Sequence, residues 1–493
     1  MAALLSGCGT RTDPETEESP AIETPVVANE SESEEPSDDS AAPIEPEADE
    51  QPEYFERFDR IVDAVEDLGV DPTGEEPVNE AFFGAGSNVL ITLPDGHYSF
   101  EGESRLTGIE KFGIHGSENT TIVLPEDTDD RILDLFEIDE IAVTNLDVDQ
   151  RAMDAVGAFR IQANEWLYVG NIQFHGRALR RDGYESAALN VGLRSETGTG
   201  RVESVVSKKG SAWSHYNNSQ GRIGVYIGRN HRGTIELVDF DLREFGNNAL
   251  YCSRTPGNVQ VIGGYFENNN AGNVRISGDG SFVDGATIVI DPDRYTGPRT
   301  REDRSFAMRP IVIEQATNTL PMKPAGCEVR NCRIVVKENP AAMPAIHVYP
   351  NGRSLRITDT EIEYEASGRP VILRDEYRNW GRSGHPPGEP PRHLELENVT
   401  VTGEADDTAV RIVDGDGSEI KNCRFVLRGP GANGIEIRSS ENCRIQSTTL
   451  KVDGEPTVFD DVEPEVNDLQ IERLQDETKT GEPVTKGPPI HIS

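Results

Sequence analysis

Eight short triads of the form apolar, variable, apolar are spread along the chain, and their middle residues are the first candidates for chemistry. They are Phe159-Arg160-Ile161, Leu189-Asn190-Val191, Val225-Tyr226-Ile227, Leu250-Tyr251-Cys252, Val274-Arg275-Ile276, Ile346-His347-Val348, Val410-Arg411-Ile412 and Ile435-Glu436-Ile437. Side chains alternate across an extended strand, so the outer members of each triad are expected to face a core and the middle member solvent. The middle members read Arg, Asn, Tyr, Tyr, Arg, His, Arg, Glu, with Arg194, Arg229 and Arg254 just beyond the strand ends. In a chain of net charge −41, random solvent-facing positions would be mostly Asp and Glu. Guanidinium forks match carboxylate and sulfate groups, and flat aromatic rings stack on sugars. The chemistry expected of this face is binding of an acidic polysaccharide or cell-envelope glycan, with Arg160, Tyr226, Arg229, Arg254, His347 and Arg411 as its contacts. The competing reading is that the arginines balance neighbouring acids on a solvated sheet.

Three other groupings invite chemistry. The stretch 208–232 gathers Lys208, Lys209, Trp213, His215, Tyr216, Arg222, Arg229, His231 and Arg232, which suits either a binding loop or a loop that packs on the body. Its histidines lack metal-ligand spacing, so no metal site is expected there. Asp414-Gly415-Asp416-Gly417 hints weakly at calcium, the one cofactor the sequence brings to mind, although two acids in a Gly-rich turn are common. The tripeptide Asn-Cys-Arg occurs at 331–333, 422–424 and 442–444. Cysteines in a repeated context fit a disulfide, a metal site, a nucleophile or one turn of a repeating structure.

Composition narrows the partners. The 88 acidic residues outnumber 47 basic ones, so nucleic acid, which is itself anionic, is not an expected partner. Only 9 of those 47 are lysine, and an acidic surface with scarce lysine resembles proteins of extreme halophiles. Leu5-Ser6-Gly7-Cys8 resembles the lipobox of bacterial and archaeal lipoproteins, which implies lipidation at Cys8 and an anchored location on the outer face of the cytoplasmic membrane. Four residues before Leu5-Ser6-Gly7-Cys8 is far short of a secretory signal, so a start further upstream is expected. Residues 13–50 hold 15 acids with repeated Pro, Ser and Thr and no aromatic residue. Such a segment cannot bury enough apolar surface to offset chain entropy, so 9–52 reads as a disordered acidic tether. No run approaches the roughly 20 apolar residues of a membrane-spanning helix, which leaves the lipid as the sole attachment.

The elements that would position the triads form a repeat. Phe55, Phe58, Ile61, Val62, Val65 and Leu68 open the ordered part at helical spacing, although the end of this run fits a strand equally well. Further on, one pattern returns: an apolar residue, any residue, Asn/Asp/Gly, two more, then apolar. It occurs as VTNLDV (143–148), VGNIQF (169–174), LVDFDL (237–242), IGGYFE (262–267, with Phe266 taking the apolar place one step early), VRNCRI (329–334), ITDTEI (357–362), LENVTV (396–401) and IKNCRF (420–425). Asn, Asp and Gly tolerate the left-handed conformation, so each match predicts a tight corner between two short strands. Successive corners 26, 24, 28, 24 and 20 residues apart fall in the window of solenoid repeats. Stacked coils share one core, which accounts for a body of about 400 residues without a domain boundary.

Between 62 and 100, Asp71-Pro72-Thr73-Gly74 and the later Pro94, Gly96 and Tyr98 resemble the N-terminal section of pectin-lyase-like proteins, with the usual capping helix reduced to about ten residues. The resemblance implies an all-β chain folded as a right-handed parallel β-helix behind a short N-terminal capping helix. It also implies that the sheet carrying the triads, with its flanking turns, holds any active site. Lyase chemistry there would need a base to take the proton α to a uronate carboxyl and a cation to neutralise that carboxyl. Arg275 with Tyr251 are the candidates, with Lys208-Lys209 as an alternative source of charge. The Asn-Thr-Asp, Gly-His-Gly and Arg-Ile-Lys set of polygalacturonases and the Asp-Pro-His-Asp of alginate epimerases are missing, and Asp291-Pro292-Asp293 reads as a turn. A polysaccharide lyase or hydrolase, a non-catalytic glycan-binding or adhesive surface protein, and a structural spacer therefore all stay open.

In this frame the Asn-Cys-Arg tripeptides become corners. Asn331, Asn422 and, with Ser440 replacing the apolar residue, Asn442 are expected at the turn, followed by Cys332, Cys423 and Cys443 as small interior residues. Cys423 and Cys443 would lie one coil apart, close to disulfide reach, although free thiols are the stronger expectation. The expected organisation is 1–8 signal remnant and lipobox, 9–52 linker, 53–452 β-helix and 453–493 a C-terminal cap with an acidic tail. The chain is expected to act as a monomer.

Overall fold

Corners decide the fold, because each is a position where the backbone must take a positive φ. Asn145 (56°), Asn171 (51°), Asp239 (52°), Gly263 (65°), Asn331 (53°), Asp359 (48°), Asn398 (56°) and Asn422 (53°) all do so, at every corner the pattern predicts. Asn and Asp reach this conformation because their short side chains bond locally, and here they also bond up the stack. The Asn171 amide donates to Asn145 Oδ1 at 2.9 Å and the Asn398 amide to Asp359 Oδ1 at 2.9 Å. Ser204 (54°), Gly285 (72°), Ser447 (47°) and Asp468 (54°) are further corners of the same row that the pattern misses.

The computed structural model describes residues 51–102, 105–179, 187–213, 221–298, 307–315, 323–376 and 388–474; the lipobox with Cys8, the linker up to residue 50 and the end of the tail lie outside these residues. The body is a parallel β-helix. Each coil carries three short strands, and like strands of successive coils pair in parallel into three ladders. Ladder A holds the triads, ladder B precedes the corner and ladder C follows it. Asp129–Asp149 and Val156–His175 each run through all three in one continuous strand. Inward positions such as Ile141, Leu167, Ile235 and Val259 are fully buried, and one cluster of apolar side chains runs from Ala64 to Leu450. At about 1.5–3 kcal/mol for each buried Val, Leu or Ile, this shared core is the main source of stability. The corners between B and C are short, whereas the long connections 176–186, 208–222, 291–310, 314–326 and 375–393 all border ladder A.

Three expectations change. The run from Phe55 to Leu68 is a 3-10 helix, Glu53–Arg57, followed by a strand, Arg60–Asp63, because outward apolar residues of ladder B give it a surface to lie on. Phe55 and Phe58 pack there against Leu90 and Ala142. The capping helix, Asn79–Gly84, has only six residues, with Phe82 buried edge-on against Phe100. Coils also continue past 452: Thr457–Asp460 and Glu465–Ile471 pair in parallel with the preceding coil. The acidic composition hid them, since this last coil is exposed and has few apolar positions, with Phe459, Val466 and Ile471 left partly open.

Asn442 also takes a positive φ (55°), but it stands between ladders A and B, and the corner of its coil is Ser447. Cys443 is therefore not stacked on Cys423 as the spacing suggested. Cys252, Cys327, Cys332, Cys423 and Cys443 are all buried and free, and burial raises each thiol above its usual value, Cys332 and Cys423 to about 11. None is a nucleophile in waiting.

Gly113 is the socket of the N-terminal segment: a Cβ there would sit 2.9 Å from Phe58 Cζ and 2.5 Å from Leu90 Cδ1. Gly113→Val is expected to lift the segment at a cost of about 1–3 kcal/mol and to open trypsin cleavage at Arg57 and Arg60, read by a limited-digestion time course.

Candidate functional site

The expected row exists in register. Arg160 pairs with Asn190, Asn190 with Tyr226, Tyr226 with Tyr251 and Tyr251 with Arg275. It continues through Val312, His347, Leu373, Arg411 and Glu436. Val312 and Leu373 escaped notice because an apolar middle residue gives Ile311-Val312-Ile313 and Ile372-Leu373-Arg374 no contrast. Asp134, below Arg160, was hidden inside a 21-residue strand.

Full solvent exposure of the row is not what the structure has. The Arg275 side chain is 13% exposed and that of Glu436 2%, and His347 is buried. Residues that immediately follow the strands fold back over the face: Glu314 bonds Arg275, and Tyr349 lies under the Arg275 guanidinium and edge-on to His347 at 4.5 Å.

At the two ends of the row the arginines are committed to neighbouring acids. Arg160 donates to both oxygens of the buried Asp134, at 2.6 and 2.7 Å, and Arg105 and Arg131 share that carboxylate. Arg411 bonds Glu436 at 2.6 Å and Asp407 at 2.8 Å. Arg194 pairs with Glu137 at 3.0 Å and covers the Phe136 ring.

The middle of the row is different. Tyr226 and Tyr251 meet edge to face, centroids 5.8 Å apart at 79°. The Arg275 and Arg254 guanidiniums lie 4.7 and 5.1 Å from the Tyr251 centroid. Both reach one buried carboxylate, Glu314, with Arg254 at 3.4 Å, and Ser253 donates its hydroxyl to it at 2.7 Å. Arg229 is exposed, close enough to Tyr226 to act on its phenol, and has no ion pair among the described residues. Three guanidiniums thus surround two tyrosines, and two of them, Arg254 and Arg275, share one carboxylate. Burial alone would raise the Glu314 carboxyl, but Arg275 and Arg254 overcome it and hold Glu314 ionised. Burial would likewise lower Arg275, and Glu314 more than restores it.

These environments bear on the pair Arg275 and Tyr251. The two are brought together, yet burial pushes the Tyr251 phenol well above its usual value, so at neutral pH it is a hydrogen-bond donor and ring rather than a base. Arg275 would have to share or leave Glu314 to meet a substrate carboxylate. His347 contacts Asp375 through Nε2 at 3.3 Å, while burial, opposed by that contact, brings it down to about 4, so the ring is neutral.

The 208–232 segment divides. Trp213 is buried, stacked on Tyr295 at 3.6 Å, and donates its Nε1–H to Asn268 O. Arg222 and His231 are buried and bonded to backbone, His231 accepting from Leu193 N and donating to Asn258 O. These three serve the body; Lys208, Lys209 and Arg232 are exposed, and His215 and Tyr216 lie outside the described residues. Asp291 caps a 3-10 turn, Pro292–Arg294, as its sequence suggested. At the calcium candidate, Asp416 is occupied by the Glu441 N–H at 2.8 Å, and no group of three potential metal ligands occurs among the described residues.

No protein-family model matches the chain, and no curated protein matches it. Its fold is similar to that of PfbA, a surface adhesin of Streptococcus pneumoniae, at 12% identity over 80% of this chain and 91% of that one, with a TM-score of 0.49. It is also similar to the catalytic domain of a GH87 α-1,3-glucanase in complex with nigerose, at 11% identity over 83% and 67%, with a TM-score of 0.38. A mannuronic acid specific family 6 polysaccharide lyase from human gut microbiota follows at 10% identity over 81% and 89%, with a TM-score of 0.30.

Glu314→Gln leaves two guanidiniums facing each other without a carboxylate and is expected to cost about 3–5 kcal/mol in urea unfolding, against under about 0.5 kcal/mol for Arg229→Gln. A second expectation concerns acid. His231 and His347 titrate near 4 in the folded protein and near 6.5 when exposed. Between those values the unfolded chain binds more protons, so stability present above pH 6.5 is lost as pH falls towards 4. The unfolding midpoint followed from pH 7 to 4.5 should drop, with a shallower slope in His347→Gln.

Proposed function

We propose that this protein is an envelope-attached β-helix that binds an acidic polysaccharide along ladder A, centred on Tyr226, Tyr251, Arg229, Arg254 and Arg275. The observation that carries the reading is the make-up of that centre: three guanidiniums against one carboxylate, with Arg229 exposed and in no ion pair among the described residues, beside two tyrosine rings. A guanidinium left open in this way attracts a polyanion even on a chain of net charge −41, and the tyrosine rings offer faces for sugar stacking. Arg160, His347 and Arg411, held by Asp134, Asp375 and Glu436, act in this reading as the frame at either end of the groove.

Binding is favoured over cleavage by the same geometry. A lyase needs a base that is unprotonated at the working pH and a cation open to the uronate carboxyl. Tyr251 is held protonated and Arg275 is held by Glu314. In this proposal Arg275 and Tyr251 therefore position a bound chain rather than break it. Attachment through a lipid on Cys8, with the acidic segment 9–52 as spacer, completes the reading and rests on Leu5-Ser6-Gly7-Cys8. Among the described residues no helix is long and apolar enough to cross a membrane.

The test is affinity electrophoresis in gels containing different acidic polysaccharides, at high and low salt. Tyr226→Ala with Arg229→Gln, both at the open side of the cluster, should weaken retardation about ten-fold or more while the unfolding temperature stays within a few degrees. Retardation by no acidic polysaccharide, or equal retardation of the double variant, would overturn the proposal. New unsaturated uronate ends, followed by absorbance, would replace the binder with a lyase.

A further inference from the structure

A second cleft lies on the opposite strand family, on the outer face of ladder B. It is an open cleft of about 740 Å³, bordered by the N-terminal segment on one side and by Trp166, Tyr168, Arg201 and Glu203 on the other. That size falls within the roughly 300–1,000 Å³ of small-molecule sites. Trp166 and Tyr168 are two residues apart on one strand and so point the same way; their rings lie 6.3 Å apart at 28° and form a continuous platform. Tyr54 closes the end, its ring 5.0 Å from Tyr168. Both platform residues keep part of their surface open.

Packing of the N-terminal segment covers only part of these rings. Trp166 and Tyr54 lie against the cluster of Phe55, Phe58, Leu90 and Ala142, while Trp166 and Tyr168 are left half-buried. Ion pairs and hydrogen bonds hold the rim of the cleft. Arg57 sits 4.0 Å over the Trp166 ring and bonds Glu140 at 2.8 Å. Tyr168 donates to Glu203 at 2.5 Å, Arg201 bonds the same carboxylate, and Arg201 also reaches Glu236 at 2.8 Å. A flat aromatic floor rimmed by fixed carboxylate and guanidinium groups is what stacks a pyranose ring and bonds its hydroxyls.

Charge tells which sugar. Glu53, Glu56 and Glu203 line the cleft against Arg57 and Arg201, and both arginines are already paired. An acidic saccharide would be repelled, the reverse of the situation at Tyr226 and Tyr251. We infer that this cleft is a second binding site, for a neutral oligosaccharide stacked on Trp166 and Tyr168. The site is independent of the one on ladder A.

Isothermal titration of the full chain with neutral gluco-, galacto- and manno-oligosaccharides of two to four units tests it. At least one should bind, weaken about ten-fold in Trp166→Ala, and bind unchanged in Tyr226→Ala with Arg229→Gln. Glu203→Gln, on the rim, should weaken the same ligand without altering the unfolding temperature, which guards against a misfolded Trp166 variant. Absence of binding by any neutral oligosaccharide, or binding that survives both Trp166→Ala and Glu203→Gln, overturns the inference. Loss of neutral binding in the Tyr226/Arg229 variant would also overturn it, by moving the ligand to ladder A.

Discussion

One backbone conformation repeated once per coil holds the rest of the molecule in phase. At the junction of ladders B and C a single residue turns through positive φ, and the chain leaves in a direction that lays the next strand beside its predecessor. A residue gained or lost there would send every inward Ile, Leu and Val of the following strand outward, since side chains alternate with a period of two. The side-chain bonds from Asn171 to Asn145 and from Asn398 to Asp359 stack corner on corner and discourage such slips. Because ladders B and C are so tightly set, length variation is displaced to the two borders of ladder A. Each long connection therefore begins or ends at a strand of ladder A, while the corners between B and C keep the coil regular.

On that face electrostatics, more than apolar packing, sets the arrangement. Asp134, Glu314 and Glu436 are nearly inaccessible, and each is bonded by an arginine of a neighbouring rung. Such pairs contribute little net stability because desolvation offsets attraction, but removing one partner is costly. They therefore act as fasteners that fix side-chain position along the row. The centre differs in having a guanidinium, Arg229, that is exposed and in no ion pair among the described residues, beside two tyrosine rings, and this distinguishes a receptive surface from a self-neutralised one.

Much of this was legible in the sequence, for a physical reason. Corner residues and apolar alternation are local requirements, so Asn145, Asn331 and Asn422, and the triads around Tyr226, Tyr251 and Arg275, could be read one coil at a time. What escaped were features set by neighbours. Ser204 and Ser447 occupy corners although serine is a modest former of that conformation, because the coils above and below dictate it. The third Asn-Cys-Arg shares its letters with the others but stands at another junction. Trp213 and His231 suited a binding loop and a packing loop equally in the sequence, and Tyr295, Asn268 and Asn258 beside them decide for packing. The Trp166 and Tyr168 platform carried no signal, since it exists only where the N-terminal segment crosses ladder B.

The pairing of each coil with only the coil before and after it has a mechanical consequence. Strand partners are one coil apart in sequence throughout, as with Asn190 and Tyr226 or Glu436 and Val458. Contacts of that range make the body a one-dimensional array in which each coil is stabilised mainly by its neighbours. Tension applied through the N-terminal segment would first act on Phe55 and Phe58, and then on one coil at a time. A load would be dissipated in many small steps, each reversible by restacking on the coil beneath, so the protein would yield as an extensible spring and not fail as a single block.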